Sequence, residues 1–337
     1  MKAIGYRTPG PIDRADALED VDLPRPKAEG RDILVEVAAI SVNPVDTKVR
    51  RSAAPEPGQV KVLGWDAVGR VAEVGADVTG FAVGDEVFYA GSITRPGANA
   101  EFHLVDSRIV GPKPATLSSA EAAALPLTAI TAWEMLFDRL DIRRPVPGAA
   151  DAILIVGGAG GVGSIAIQLA RALTDVTVIA TASRPETQDW VRSLGAHHVV
   201  DHARPLAEQI EALGLGAPAF VFSTNESHRH VADIAALIAP QGRFGLIDDP
   251  VGLDVMGFKR KSVSIHWELM FTRAIFGTPD MDAQGRLLAE VARLVDAGRI
   301  RTTLTETLSP IDAATLRQAH ALIETGKARG KIVIEGF

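Results

Sequence analysis

The stretch ILIVGGAGGVGSIAIQLARAL, residues 153–173, places five glycines among its first eleven residues. An apolar run enters Gly158-x-Gly160-x-x-Gly163, and the helical stretch SIAIQLARAL follows. In a dinucleotide fold each glycine of this spacing has its own task. One allows a tight turn, one lets backbone N–H groups approach a pyrophosphate, and one lets the helix pack on the strand. The helix N-terminus then faces the anion with its partial positive charge. Glycines alone would also fit an ordinary strand–helix turn. Here strand, glycines, helix and a second strand, VTVIAT (176–181), follow in the required order. We therefore read a dinucleotide cradle built on Gly158, Gly160, Gly161, Val162 and Gly163.

The end of the second strand selects the cofactor. Readers of NAD usually hold the ribose 2′-OH with an Asp or Glu at this point. This chain has Ala182-Ser183-Arg184, and no carboxylate occurs until Glu186, beyond Pro185. The Ser183 hydroxyl and the guanidinium fork of Arg184 suit a 2′-phosphate. The expected cofactor is NADPH.

Around this core the pattern is repetitive. The apolar runs AILIV (152–156), VTVIAT, HHVVD (197–201), AFVFST (219–224), RFGLI (243–247) and SVSIHW (262–267) recur with helical segments between most of them. Six buried strands of this kind predict a doubly wound parallel sheet. Residues 1–124 read differently, as short strands such as DILVEVAAISV (32–42), VGRVAEVG (68–75) and GDEVFYAG (84–91), broken by Gly and Pro. The stretch SSAEAAALPLTAITAWEMLF (118–137) reads as helix, with Ser118 or Ser119 as N-cap. The tail beyond residue 270 is too small for a third domain and is expected to complete the first. The fold class is α/β. A β-rich domain comprises 1–124 and 271–337, and a Rossmann NADPH-binding domain comprises 125–270.

The totals narrow the function. A net charge of −7 argues against a nucleic-acid partner bound by bulk electrostatics. No apolar run is long enough to span a bilayer, and MKAIGYRTPG has no signal-peptide core, so a cytoplasmic protein is expected. With no cysteine, disulfides, thiolate metal ligands and cysteine nucleophiles are all excluded. The run KRK at 259–261 reads as a solvated face.

The chain resembles the medium-chain dehydrogenase/reductases over essentially its whole length. It is most similar to their zinc-free quinone oxidoreductase-like branch, in the zinc-type alcohol dehydrogenase-like subgroup. The resemblance rests on SVNPVDTKVR (41–50), VLGWDAVGRVAEVG (62–75), VGDEVF (83–88), ALPLTAITAWEML (124–136), GGAGGVG (157–163), LGAHHVVDH (194–202), RFGLID (243–248) and GKARGKIVIEGF (326–337). It implies a GroES-like catalytic domain joined to a Rossmann domain, and an isologous homodimer using SVSIHW as an edge strand. Zinc-dependent members of the family hold catalytic zinc through Cys, a His followed by Glu, and a second Cys or Asp. Those motif positions here hold Asn43, Trp65-Asp66 and Leu127. An amide, an indole and an aliphatic chain cannot make a tetrahedral zinc site, so no metal is expected.

Without a Lewis acid, conjugated carbonyls and quinones are the suitable acceptors. Hydride addition to them leaves an enolate or phenolate that needs only hydrogen-bond donors. The expected reaction is NADPH-dependent reduction of a small-molecule quinone or other α,β-unsaturated carbonyl. Asn43 is the candidate donor to the substrate oxygen, and Asp46 the candidate to orient a water or ribose hydroxyl. Trp65, Leu127, His266 and Phe271 are expected to line the substrate pocket. Thr131 matches the family threonine beside the nicotinamide. Ser223, Thr224, Asn225 and Asp248 follow apolar strands, where open α/β sheets bind ligands. Lys331 is expected to reach the cofactor or a nearby carboxylate. Two other readings stay open: an enoyl-thioester reductase, which needs a basic rim for a phosphate, and a dinucleotide-binding sensor without turnover.

Overall fold

The computed structural model describes residues 1–337. In chain order the strands are β1 (Lys2–Tyr6), β2 (Glu19–Asp22), β3 (Asp32–Ser41), β4 (Lys61–Val62), β5 (Ala67–Val74), β6 (Glu86–Tyr89), β7 (Phe102–Asp106), β8 (Val110–Pro112), β9 (Ala150–Val156), β10 (Thr177–Thr181), β11 (His198–Val200), β12 (Pro218–Ser223), β13 (Arg243–Leu246), β14 (Ser264–Trp267), β15 (Leu304–Leu308) and β16 (Lys331–Glu335). The helices are α1 (Pro44–Ser52), α2 (Ser119–Ala123), α3 (Pro126–Trp133), α4 (Gly161–Leu173), α5 (Pro185–Ser193), α6 (Leu206–Ala212), α7 (Ser227–Leu237), α8 (Thr272–Phe276), α9 (Ala283–Asp296) and α10 (Ala313–Glu324). The backbone divides into two units, Met1–Ile130 with Phe271–Phe337, and Thr131–Met270.

The first unit is built on the sheet β15-β16-β3-β5-β6-β8, with β7 pairing β3 and a separate sheet β2-β1-β4. The tail closes it. β16 runs antiparallel to β3, with Ile334 opposite Ile40, and both side chains are buried. Alternation of apolar and polar residues in DILVEVAAIS places Val35 and Val37 inward and Glu36 outward. The Ala-rich segment after residue 117 is not one helix. Ser118 caps α2, with Glu121 N donating to Ser118 Oγ at 3.2 Å and Ser118 N donating to Glu121 Oε2 at 2.9 Å. Pro126 then begins α3, as the missing N–H of proline is tolerated only in a first turn. The winding continues as a π-helix over Glu134–Arg139.

The second unit is a six-stranded sheet in the order β11-β10-β9-β12-β13-β14, every pairing parallel. On one face Leu154, Val156, Ile179, Val221 and Phe244 pack with Ile210 of α6 and Ile234 of α7. Ile153 and Ile155 alternate to the opposite face and are also fully buried. The expectation of six buried strands needs one correction. β11 and β14 are the two edge strands, and β14's residues and His198 and Val199 of β11 are only partly buried or exposed, because nothing in the chain pairs beyond them. No helix is long and apolar enough to cross a membrane.

Candidate functional site

In the second unit, β9 ends at Val156 and the chain turns at Gly157, whose φ is +79°, a left-handed value that favours glycine. Gly157 N donates to Thr181 Oγ1 at 2.9 Å, and Thr224 Oγ1 donates to Val156 O at 2.9 Å, so the turn is fixed from both neighbouring strands. Helix α4 begins at Gly161. A Cβ on Gly163 would lie 2.3 Å from Gly157 O, so the helix approaches the turn as closely as it does only because that side chain is absent. The first-turn N–H groups of Gly161, Val162 and Gly163 have no carbonyl one turn back to pair with. Beside Gly160 a Cβ would meet nothing closer than Gly157 O at 3.5 Å. The combination is a shallow concavity of N–H groups that fits a pyrophosphate.

Ser183 and Arg184 follow β10, and Arg184 enters α5. Arg184 Nε lies 3.3 Å from Glu186 Oε1, and the arginine side chain is 44% exposed. Such an exposed pair is weak and yields readily to a phosphate. His202 lies just beyond β11. Its Nδ1 is 3.0 Å from Thr181 Oγ1, and burial with the nearby Arg184 charge contributes to holding it below its ordinary pKa.

Other strand-end residues turn inward. Ser223 is buried, its Oγ 2.8 Å from Ser227 Oγ. Both carboxylate oxygens of Asp248 accept from Ser227, one from its N–H at 2.8 Å and one from its hydroxyl at 2.5 Å. The cofactor role expected of Ser223 and Asp248 is thus replaced by capping: they tie the ends of β12 and β13 to the start of α7. Thr224 and the exposed Asn225 remain at the edge. Thr131 is buried. His266 pairs with Ser264 at 3.0 Å along β14, and burial pushes its pKa down. That is a strand-face contact in place of the pocket wall expected.

In the first unit, residues distant in sequence converge on Asp66. This fully buried carboxylate accepts from Leu127 N at 2.7 Å, Asn43 Nδ2 at 2.8 Å and Lys331 Nζ at 2.9 Å. Lys331 also donates to Val42 O at 3.1 Å and to Asn43 Oδ1. Burial drives the Asp66 pKa up, and the ammonium and the two N–H donors oppose it. Asp46 opens α1, accepting from Asn43 N at 2.8 Å and from Gly64 N at 3.0 Å. Burial pushes Asp46 up to about 7 against those bonds and the Lys331 charge.

These contacts correct three expectations. The Asn43 amide is 1% exposed; its Nδ2 donates to Asp66 and also lies 3.4 Å from the carbonyls of Ser41 and Trp65, and its Oδ1 accepts from Lys331, so it holds the Asp66–Lys331 pair in place of the substrate contact expected. Both Asp46 oxygens accept backbone N–H groups, so the carboxylate fixes the turn into α1. Trp65 is buried, donates its indole N–H to Ser92 O at 3.2 Å, and meets Phe271 edge-on with centroids 6.0 Å apart. Trp65 and Phe271 are core, because both rings are nearly inaccessible. Leu127 contributes its backbone N–H, and its side chain is 8% exposed.

A catalytic zinc does not fit this set. Asn43, Trp65 and Leu127 supply no anionic ligand; of the two carboxylates beside them, Asp66 is paired with the Lys331 ammonium and Asp46 accepts two backbone N–H groups. Nowhere do three His, Cys, Asp or Glu side chains gather as a metal site requires. Removing one partner of a buried pair leaves an uncompensated charge. Lys331→Met should therefore lower unfolding free energy by about 3–5 kcal/mol, and the double variant Asp66→Asn/Lys331→Met should recover much of it in urea titration. Equal losses in the single and double variants would break the argument.

Two family models match the chain: an alcohol dehydrogenase GroES-like domain over residues 29–115 and a zinc-binding dehydrogenase over residues 194–334. A zinc-type alcohol dehydrogenase-like protein of Staphylococcus aureus is 39% identical over 99% of both chains. The 2-methylene-furan-3-one reductase of Solanum lycopersicum is 29% identical over 99% of this chain and 79% of its own. A crystal structure from Rhizobium etli CFN 42, provisionally assigned as a zinc-dependent alcohol dehydrogenase, superposes with a TM-score of 0.99 at 71% identity, covering 100% of this chain and 98% of that one. The Escherichia coli quinone oxidoreductase complexed with NADPH shares the fold, with a TM-score of 0.82 at 23% identity over 99% of this chain and 100% of that one. Identity of this extent, on a GroES-like domain followed by a parallel dinucleotide-type sheet, makes the protein an oxidoreductase of the medium-chain dehydrogenase/reductase superfamily, among its zinc-type alcohol dehydrogenase-like members.

Proposed function

We propose that the protein is a zinc-independent, NADPH-dependent reductase of quinones or other α,β-unsaturated carbonyls. The observation that carries this reading is the Asp66–Lys331–Asn43 cluster, at the positions where zinc-dependent relatives place their ligands. When bound, a reduced nicotinamide supplies a hydride to the acceptor. The residues Gly157 to Gly163 hold the pyrophosphate through backbone N–H groups at the start of α4. Ser183 and Arg184 receive the 2′-phosphate, and Thr224 and Asn225 border the bound dinucleotide at the strand ends. An acceptor conjugated to a carbonyl gathers charge on an oxygen that hydrogen-bond donors can stabilise, so no metal is needed.

The name of the tomato relative, a reductase of a conjugated furanone, supports the acceptor class. The NADPH bound in the E. coli quinone oxidoreductase supports the cofactor. We also infer a homodimer through β14. It is one of the two unpaired edges of its sheet, and beside it Trp267 is 56% and Leu269 53% exposed. An isologous pairing of two such edges would cover both.

The acceptor class is tested by following NADPH oxidation against quinones, enones, saturated aldehydes and acyl thioesters. Quinones or enones should be reduced and saturated aldehydes left untouched. Preference for thioesters would make the protein an enoyl-thioester reductase, and no turnover with any acceptor would leave a dinucleotide-binding sensor.

The cofactor is tested by calorimetric titration of wild type and Arg184→Ala. A charge-assisted contact to the 2′-phosphate is worth roughly 1.5–3 kcal/mol, or about ten- to hundredfold tighter binding of NADPH than of NADH. Arg184→Ala should remove most of that preference and leave NADH binding nearly unchanged. Equal wild-type affinities for the two would refute the assignment.

A further inference from the structure

The buried face of α1 is polar. It carries Asp46, Thr47 and Arg50, with Arg50 one turn beyond Asp46. α10 packs against this helix. Its Glu324 forms an ion pair with Arg50 Nη2, and His320 lies one turn before Glu324 on the same face. Arg50 and His320 are both fully buried. Arg50 Nε and Nη1 have no hydrogen-bond partner, and neither ring nitrogen of His320 has one. A neutral imidazole has one donor and one acceptor to satisfy, and a guanidinium has five N–H groups. Closing this seam therefore strips water from four polar nitrogens without replacing it.

The closed seam excludes a second positive charge. A protonated His320 would stand beside Arg50 without water, and the Glu324 carboxylate is already taken by the arginine. Burial, and then the Arg50 charge, push His320 down to about 3. Lifted into water, the imidazole returns to about 6.5. The closed form is the poorer proton binder, so closure is complete above about pH 6.5 and is disfavoured by about tenfold for each pH unit below it. Of the other groups around the seam, Arg50 and Arg51 of α1 and Arg317 of α10 stay cationic. The Tyr6 phenol of β1, raised by burial to about 12, stays neutral. Lys331 of β16 is held by Asp66, and Asp20 caps Ala313 two turns before His320. Asp46, pushed up to about 7, takes its proton in the same range, but it acts on the turn into α1 whether or not His320 is present.

We propose that the α1–α10 seam is an acid-operated latch on the Asn43–Asp66–Lys331 cluster, in which a proton taken up at His320 lifts α10 from α1 and loosens the cluster. The two helices that meet at the seam lead to the two side chains that hold Asp66. α1 is capped by Asn43, whose amide donates to Asp66, and Asp46 lies one turn from Arg50 on the buried face. α10 runs into β16, packs on it, and β16 opens with Lys331. Opening gives water to the four stripped nitrogens and removes the helix that braces the Lys331 strand. Local opening of this kind needs only the bonds across the seam to break, and the rest of the fold stays in place.

The test is amide hydrogen exchange on the intact protein, resolved by residue, with each rate divided by that of the unstructured amide at the same pH. Between about pH 7.5 and about pH 5 the protection of the α10 amides should fall about thirtyfold. The Leu127 amide, which donates to Asp66, should lose protection with them, while the amides of α4 in the other unit hold level. His320→Leu, and independently His320→Met, place no titrating group in the seam and should remove the fall at α10. A level α10 profile in the wild type, a Leu127 amide that stays protected while α10 opens, an equal fall in α4, or a fall that survives in a folded variant would each overturn the inference. The wild-type profiles decide it even where neither variant folds.

Discussion

The first unit depends on one buried ion pair. Asp66 and Lys331 lie in water-excluded surroundings, their side chains 0% and 4% exposed. Taking both charges out of water is costly, and the cost is met only because the remaining lone pairs and protons find partners. Leu127 N–H, the Asn43 amide and Val42 O supply them. The pair therefore draws four stretches of chain to one point: the loop before α1, the entry to β5, the start of α3 and the returning strand β16. Closure of the sheet by the tail and neutralisation of the carboxylate are the same event.

The same arrangement directs the chemistry. A site whose Asp66 is matched by an internal ammonium and whose Asp46 is held by two backbone N–H groups offers no preformed anionic ligand set to a divalent cation. The second unit is arranged accordingly. Its sheet edge gathers the glycine turn and an exposed arginine, while Ser223, Ser227 and Asp248 bind one another at the start of α7.

The dinucleotide cradle was legible in the sequence because its constraints are local. Gly157 requires positive φ and Gly163 requires an absent side chain, and each leaves its mark at its own position. The parallel strands were legible as apolar runs, although periodicity could not separate the edge strand β14 from the buried ones. Side-chain partnership was not legible. Asn43 reads as a free amide until Asp66 and Lys331, 23 and 288 residues away, are brought beside it. Trp65 reads as a pocket wall until Phe271 covers it.

The central claim is that the Asp66–Lys331 pair leaves this enzyme independent of metal. The most direct measurement couples elemental analysis of the purified protein with the rate of NADPH oxidation by a quinone or enone before and after exhaustive chelation. The account predicts zinc far below one equivalent and an unchanged rate. A rate lost on chelation and restored by zinc would contradict it.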